Sequence, residues 1–156
     1  MSKRRDGGLT RRRLAGGLVA VSLAPLASGS RAKADDQLSA ALESVTGGAA
    51  VTEGRVKLEI PSLAENGFSV PLTVSVESPM TAEDHVKAIH ILSEKNPVAH
   101  VVRFNLTPRS GRAKVSTSIR MADTQRVMAV AEMSDGSFYS GTADIIVTLS
   151  ACIDGG

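Results

Sequence analysis

A single cysteine, Cys152, stands four residues from the end of this 156-residue chain, in Ser150-Ala151-Cys152-Ile153-Asp154-Gly155-Gly156. A thiolate is both a strong nucleophile and a readily oxidised group, so it can hold cargo covalently. With no second cysteine in the chain, any bond to its sulfur is made with another molecule. Ser150, Ala151, Gly155 and Gly156 are small, and termini of this kind are poorly tied down. Residues 150–156 therefore read as a flexible arm that presents a thiol. The plainer alternative is a free tail thiol that only forms an intermolecular disulfide.

No other group competes for a chemical role. His85, His90 and His100, with Met80, Met121, Met128 and Met133, are copper donors by type. The histidines lack ligand spacing and the methionines fall where strands need core filling, so no metal site is expected. Arg103, Arg109, Arg112, Arg120 and Arg126 suit an oxyanion by type, but a solvated strand face or ion pairs is the expected role. No Ser-His-Asp order, phosphate-cradling glycine loop or Cys/His zinc pattern is present, and no catalytic residue is expected.

The other end of the chain addresses where the thiol works. Met1 to Arg13 is basic, Leu14 to Leu26 is mostly apolar but carries Gly16 and Gly17, and Ala32-Lys33-Ala34 has the small-x-small form of a cleavage site. Residues 1–34 read as a cleaved export signal, cut after Ala34. Thr10-Arg11-Arg12-Arg13-Leu14 places Arg11 and Arg12 as a twin-arginine pair, and the weak hydrophobicity behind them suits that route. An ordinary secretory signal rich in arginine is the alternative. Both lead out of the bacterial cytoplasm, and the expected location is the periplasm. No stretch approaches the roughly 20 consecutive apolar residues of a spanning helix, so no membrane partner is expected after export.

Removing the signal reverses the charge. Of 18 Lys+Arg and 16 Asp+Glu, residues 1–34 hold eight and one, which leaves ten against fifteen, net −5. An acidic domain with one Tyr, three Phe and no Trp offers neither a basic stripe nor a stacking platform, which excludes nucleic acid as the expected partner.

Residues 35–149 suffice for one hydrophobic core and contain no linker. A short helix is predicted from Asp35, its acidic residues at the positive end of the dipole, with Leu38, Ala41, Leu42 and Val45 on one face and Gly47-Gly48 ending it. The period then changes to two. Strands are predicted over 56–60, 68–76, 86–92, 101–107, 113–121, 126–133 and 138–149. Asn96-Pro97, Pro108-Arg109-Ser110-Gly111, Ala122-Asp123-Thr124 and Ser134-Asp135-Gly136 separate most of them. Pro71 lacks an amide donor and predicts a sheet edge or a bulge. Asp135-Gly136 gives the sharpest hairpin signal. The fold expected is all-β: an immunoglobulin-like antiparallel β-sandwich with a short N-terminal helix and a flexible C-terminal arm, a barrel of similar strand count being the alternative.

Several strings together resemble one family. They are Pro79-Met80-Thr81, His90-Ile91-Leu92-Ser93-Glu94-Lys95-Asn96-Pro97, Thr107-Pro108-Arg109-Ser110-Gly111-Arg112-Ala113, Ile119-Arg120-Met121-Ala122-Asp123-Thr124-Gln125 and Ala131-Glu132-Met133-Ser134-Asp135-Gly136. The chain resembles SoxY, the carrier subunit of the bacterial thiosulfate-oxidising (Sox) system, over nearly the whole of 35–156. The resemblance implies that Cys152 is the site of covalent sulfur attachment, with no cofactor beyond that adduct and no turnover by the carrier itself. It implies a heterodimer with SoxZ. The Sox enzymes it implies are a haem c loading enzyme, SoxXA, a sulfate-releasing hydrolase, SoxB, and a sulfane dehydrogenase, SoxCD, where present.

An extended chain advances about 3.3–3.6 Å per residue, so Cys152 reaches roughly 10 Å beyond Leu149. The family arm ends Gly-Gly-Cys-Gly-Gly, and this chain departs from it. Ile153 is β-branched and stiff, and Asp154 sets a carboxylate near the thiol and any anionic adduct.

Overall fold

The computed structural model describes the backbone of residues 29–149 and the side chains of residues 35–149. Arg11, Arg12 and the arm residues Ser150, Ala151, Cys152, Gly155 and Gly156 lie outside the described residues.

The chain opens with helix α1, Gly29–Thr46, followed by nine strands. The helix begins six residues before the Asp35 expected from sequence. Arg31, Ala32, Lys33 and Ala34 are good helix formers and extend it backwards, so Asp35 and Asp36 lie within the helix and no acidic residue occupies its first turn. The end falls as expected: Gly47 takes φ 64° and its amide donates to the Glu43 carbonyl at 2.8 Å. No described helix is long and apolar enough to cross a membrane.

The strands are β1 (Val51–Glu53), β2 (Val56–Glu59), β3 (Leu63–Ala64), β4 (Val70–Val76), β5 (Val86–Ser93), β6 (His100–Asn105), β7 (Lys114–Ile119), β8 (Gln125–Met133) and β9 (Phe138–Val147). One sheet has the order β1-β9-β8-β5-β6, with β3 also paired to β9; the other is β2-β4-β7. All seven predicted strands are present, and the architecture is the immunoglobulin-like sandwich expected. The strands added by the structure, β1 and β3, run parallel to β9 along one edge, at its beginning and at its end.

Alternation places the core. Val70, Leu72, Val74 and Val76 of β4 face Ile89 and Ile91 of β5 and Val127, Ala129 and Ala131 of β8, all within one buried cluster. The opposite face of the large sheet offers Leu92, Val130 and Phe138, and Leu38 of α1 buries against them with Ala41, Leu42 and Val45. This docking supplies the packing from which a helix in a folded protein draws most of its stability. Met80, Met121 and Met133 are buried, as core filling predicts, and Met128 packs under the helix.

Pro71 corrects one expectation, since β4 is the middle strand of its sheet. The Val76 amide points to β7, donating to the Ala113 carbonyl, so alternation turns Pro71 towards β2. β2 ends at Glu59, opposite Thr73, and the missing donor therefore faces no strand. The β8–β9 hairpin turns at Asp135-Gly136, where Gly136 takes φ 84° and Asp135 Oδ1 accepts from the Ser137 amide at 2.9 Å.

Candidate functional site

The end of β9 carries the tail, and the sequence ties it down up to Leu149. The Ile146 amide donates to the Ser62 carbonyl at 2.9 Å, the Thr148 amide to Ala64 at 3.1 Å, and the Gly67 amide to the Leu149 carbonyl at 2.8 Å. Thr148 Oγ1 donates to the Glu65 carbonyl at 2.9 Å, and the Val147 amide donates to Thr124 Oγ1 at 3.0 Å. The root of the arm is thus fixed between the 62–67 loop and the 120–124 loop.

A buried polar network braces those loops. Ser93, Asn96 and Gln125 are all buried. Ser93 Oγ donates to Gln125 Oε1, which also accepts from the Lys95 amide at 2.9 Å. Gln125 Nε2 donates to Asn96 Oδ1 at 3.0 Å, and that oxygen accepts from the Ala122 amide at 2.9 Å. Asn96 Nδ2 donates to the Arg120 carbonyl at 2.8 Å. Every one of these buried groups is paired, as a polar core element must be. Two of the strings that carry the family resemblance supply this network, so their residues position the pole from which the arm leaves. Beside it opens a cleft of about 600 Å³ lined in part by Ser62, Lys95, Arg126, Asp144 and Ile146.

The five arginines are all exposed. Arg103 lies 3.8 Å from Glu132, and Arg126 lies 3.5 Å from Asp144. They are spread over several faces and do not converge on an anion site. Among the described residues no three His, Cys, Asp or Glu side chains lie close enough to hold a metal ion.

The structure does bring two histidines together that spacing alone did not connect. A register shift between Ile91 and Leu92 sets His100 of β6 beside His90 of β5, with His90 Nδ1 3.1 Å from His100 Nε2. His90 is buried and its Nε2 has no partner among the described residues. Burial, then the neighbouring His100 and Arg103 charges, push its pKa down from 6.5 to about 4. Above pH 6.5 both folded and unfolded forms are neutral at this position. Between 6.5 and about 4 only the unfolded form takes the proton, so stability falls as pH drops through that window. Denaturation at pH 7 and pH 4.5 should show roughly 1–2 kcal/mol of loss, and His90→Phe should flatten the dependence. An equally steep profile in the variant would assign the effect elsewhere.

The fold and sequence define a class of protein: a two-layer β-sandwich whose last strand is braced at one pole and is followed in sequence by a cysteine-bearing segment. The comparisons with known proteins place it within that class. The model of the family described as "Sulfur oxidation protein SoxY" matches residues 42–152, and the chain belongs to this family. The match ends on the position of Cys152. Among solved structures, the sulfur carrier protein SoxY from Chlorobium limicola f thiosulfatophilum is similar, with TM-score 0.64 and 27% identity over 74% of this chain and 96% of that one. A superoxide reductase (neelaredoxin) from Ignicoccus hospitalis has TM-score 0.53 and 17% identity over 60% of this chain and 80% of that one. The superoxide reductase from Nanoarchaeum equitans has TM-score 0.50 and 11% identity over 62% and 100%. These two likenesses show the sandwich fold alone. No curated protein matches the chain.

Proposed function

We propose that this chain is a periplasmic carrier that holds the sulfur intermediates of thiosulfate oxidation on Cys152 and presents them to separate enzymes. The observation that carries the reading is the family match running through to Cys152, on a tail whose root is fixed at Leu149. Loading joins thiosulfate to the thiol: Cys–SH and S₂O₃²⁻ give Cys–S–S–SO₃⁻, one proton and two electrons, the electrons being taken up one at a time by a SoxXA-type haem c enzyme and passed on to its own electron acceptors. A SoxB-type hydrolase then adds water and releases sulfate, leaving Cys–S–S⁻, which a SoxCD-type dehydrogenase oxidises further where present. A SoxZ-like subunit completes the carrier as a heterodimer. Export through the twin-arginine signal at Arg11 and Arg12, with cleavage after Ala34, delivers the folded pair to these enzymes.

The chain performs none of the redox or hydrolytic steps. Its contribution is reach and access. Ser150 and Ala151 place only small side chains before the sulfur, and Gly155 and Gly156 place none after it, as entry into a narrow pocket requires. Ordering such a segment in a pocket costs roughly 1–2 kcal/mol per residue, which keeps each visit weak and allows release to the next enzyme.

Intact-mass analysis tests this reading. After incubation with thiosulfate and the loading enzyme, the chain should gain the mass of one thiosulfate, confined to the peptide holding Cys152 and removed by reductant. Finding only unmodified chain or a disulfide-linked dimer would overturn it in favour of a binding module whose thiol merely cross-links.

A further inference from the structure

The exposed large hydrophobic residues among the described ones are Leu63, Phe68, Val98, Ile146 and Leu149, each more than half exposed. Singly, such residues mean little, because much of any protein surface is apolar. Their placement is what matters. All five lie at the pole where the arm leaves, and none lies on the hairpin pole or on the faces of either sheet away from that end. Leu63 and Ile146 sit opposite each other in the β3–β9 pairing. Phe68 follows Gly67, whose amide holds the Leu149 carbonyl. Four of the five therefore surround the arm's root and are fixed there by backbone hydrogen bonds. A clustered apolar surface of this kind marks an interaction site.

We propose that Leu63, Phe68, Ile146 and Leu149 form a docking collar for the rim of the enzyme pocket that receives the Cys152 adduct. This rests on the carrier reading above. The tail commits the collar to that occupant: Cys152 lies three residues beyond Leu149, a reach of roughly 10 Å, so an enzyme acting on the adduct brings its pocket mouth against the collar. The pairs Lys95–Asp123 at 3.5 Å and Arg126–Asp144 at 3.5 Å stand at the same pole and supply a polar surround. A surface that excludes water around the entering tail offsets part of the entropy lost in ordering it, and the hydrolase that acts on the loaded adduct is the occupant tested.

The test uses the full-length heterodimer, with Cys152 loaded chemically by tetrathionate. The thiolate attacks an inner sulfur of S₄O₆²⁻, forming Cys–S–S–SO₃⁻ and releasing S₂O₃²⁻, so the haem enzyme is not needed. Sulfate release by the hydrolase is then followed against carrier concentration. Phe68→Glu and Leu63→Glu, at exposed positions, should each raise KM about tenfold and leave kcat within about twofold; Ser118→Glu, on β7, should change neither. An unchanged KM in both collar variants overturns the proposal. So does a raised KM accompanied by loss of the heterodimer or of a self-associated form in light scattering, which would make the collar a subunit interface. If the unaltered carrier takes no adduct, or yields no sulfate when loaded, the carrier reading itself fails and the collar proposal falls with it.

Discussion

Replacing Cys152 by serine is expected to lower thiosulfate-dependent electron release by the reconstituted pathway at least about a hundredfold, to the level measured without any carrier. Serine matches the thiol in size but not in chemistry. A cysteine of ordinary acidity supplies some thiolate near neutral pH, and sulfur forms stable bonds to sulfur, whereas a hydroxyl supplies almost no alkoxide and no bond that would survive transit in water. The variant should fold normally, because serine and cysteine differ by one atom and the core and sheets of the domain are built from residues up to Val147. An unchanged melting temperature together with lost turnover separates chemistry from folding. Full turnover by the serine variant would end the carrier reading.

The second large effect concerns the scaffold. Gly141 of β9 lies on the inner face, opposite Ala129 of β8, where β2 of the other sheet comes very close. A Cβ added there would overlap the Val56 carbonyl oxygen and lie 3.2 Å from its carbon. These are backbone atoms and cannot rotate aside, so the sheets must separate locally and the core they share must loosen. Gly141→Ala should therefore destabilise the domain by about 2 kcal/mol, with a melting point lower by roughly 5–10 °C. Thermal denaturation followed by circular dichroism measures it. A loss below about 0.5 kcal/mol would show that β2 can retreat at little cost.

Much of this scaffold was legible from period alone. Val56 and Leu58, or Val70 to Val76, alternate over enough residues to declare a strand and a buried face. β1 and β3 span three and two residues, too few for any period, and exist because β9 offers them an edge. Phe68 shows how a pattern overruns its element. It continues the alternation of β4, yet Asn66 Oδ1 accepts its amide at 2.7 Å, the chain turns there, and the ring is left in solvent. Leu149 likewise extends the apolar run of β9 beyond the last ladder residue. Both errors of the simple pattern fall in the proposed collar.

The chemistry was legible in a different way. Cys152 stands out by being single and terminal, which needs no structure to see, and its surroundings lie outside the described residues. The bracing network was not legible, since Ser93, Asn96 and Gln125 follow no period and read as ordinary turn residues. The His90–His100 contact depends on one register shift that no spacing rule announces.

The parallel pairing of β3 with the last residues of β9 has a mechanical consequence. Under a pull directed along β9, the bonds from Ile146, Thr148 and Gly67 share the load instead of parting one after another. Tugging by a catalyst is resisted in shear, and the strand does not peel. Load entering at Leu149 is spread over the 62–67 loop, and on the carrier reading proposed above this would keep the last strand from unravelling as the domain leaves one catalyst for the next.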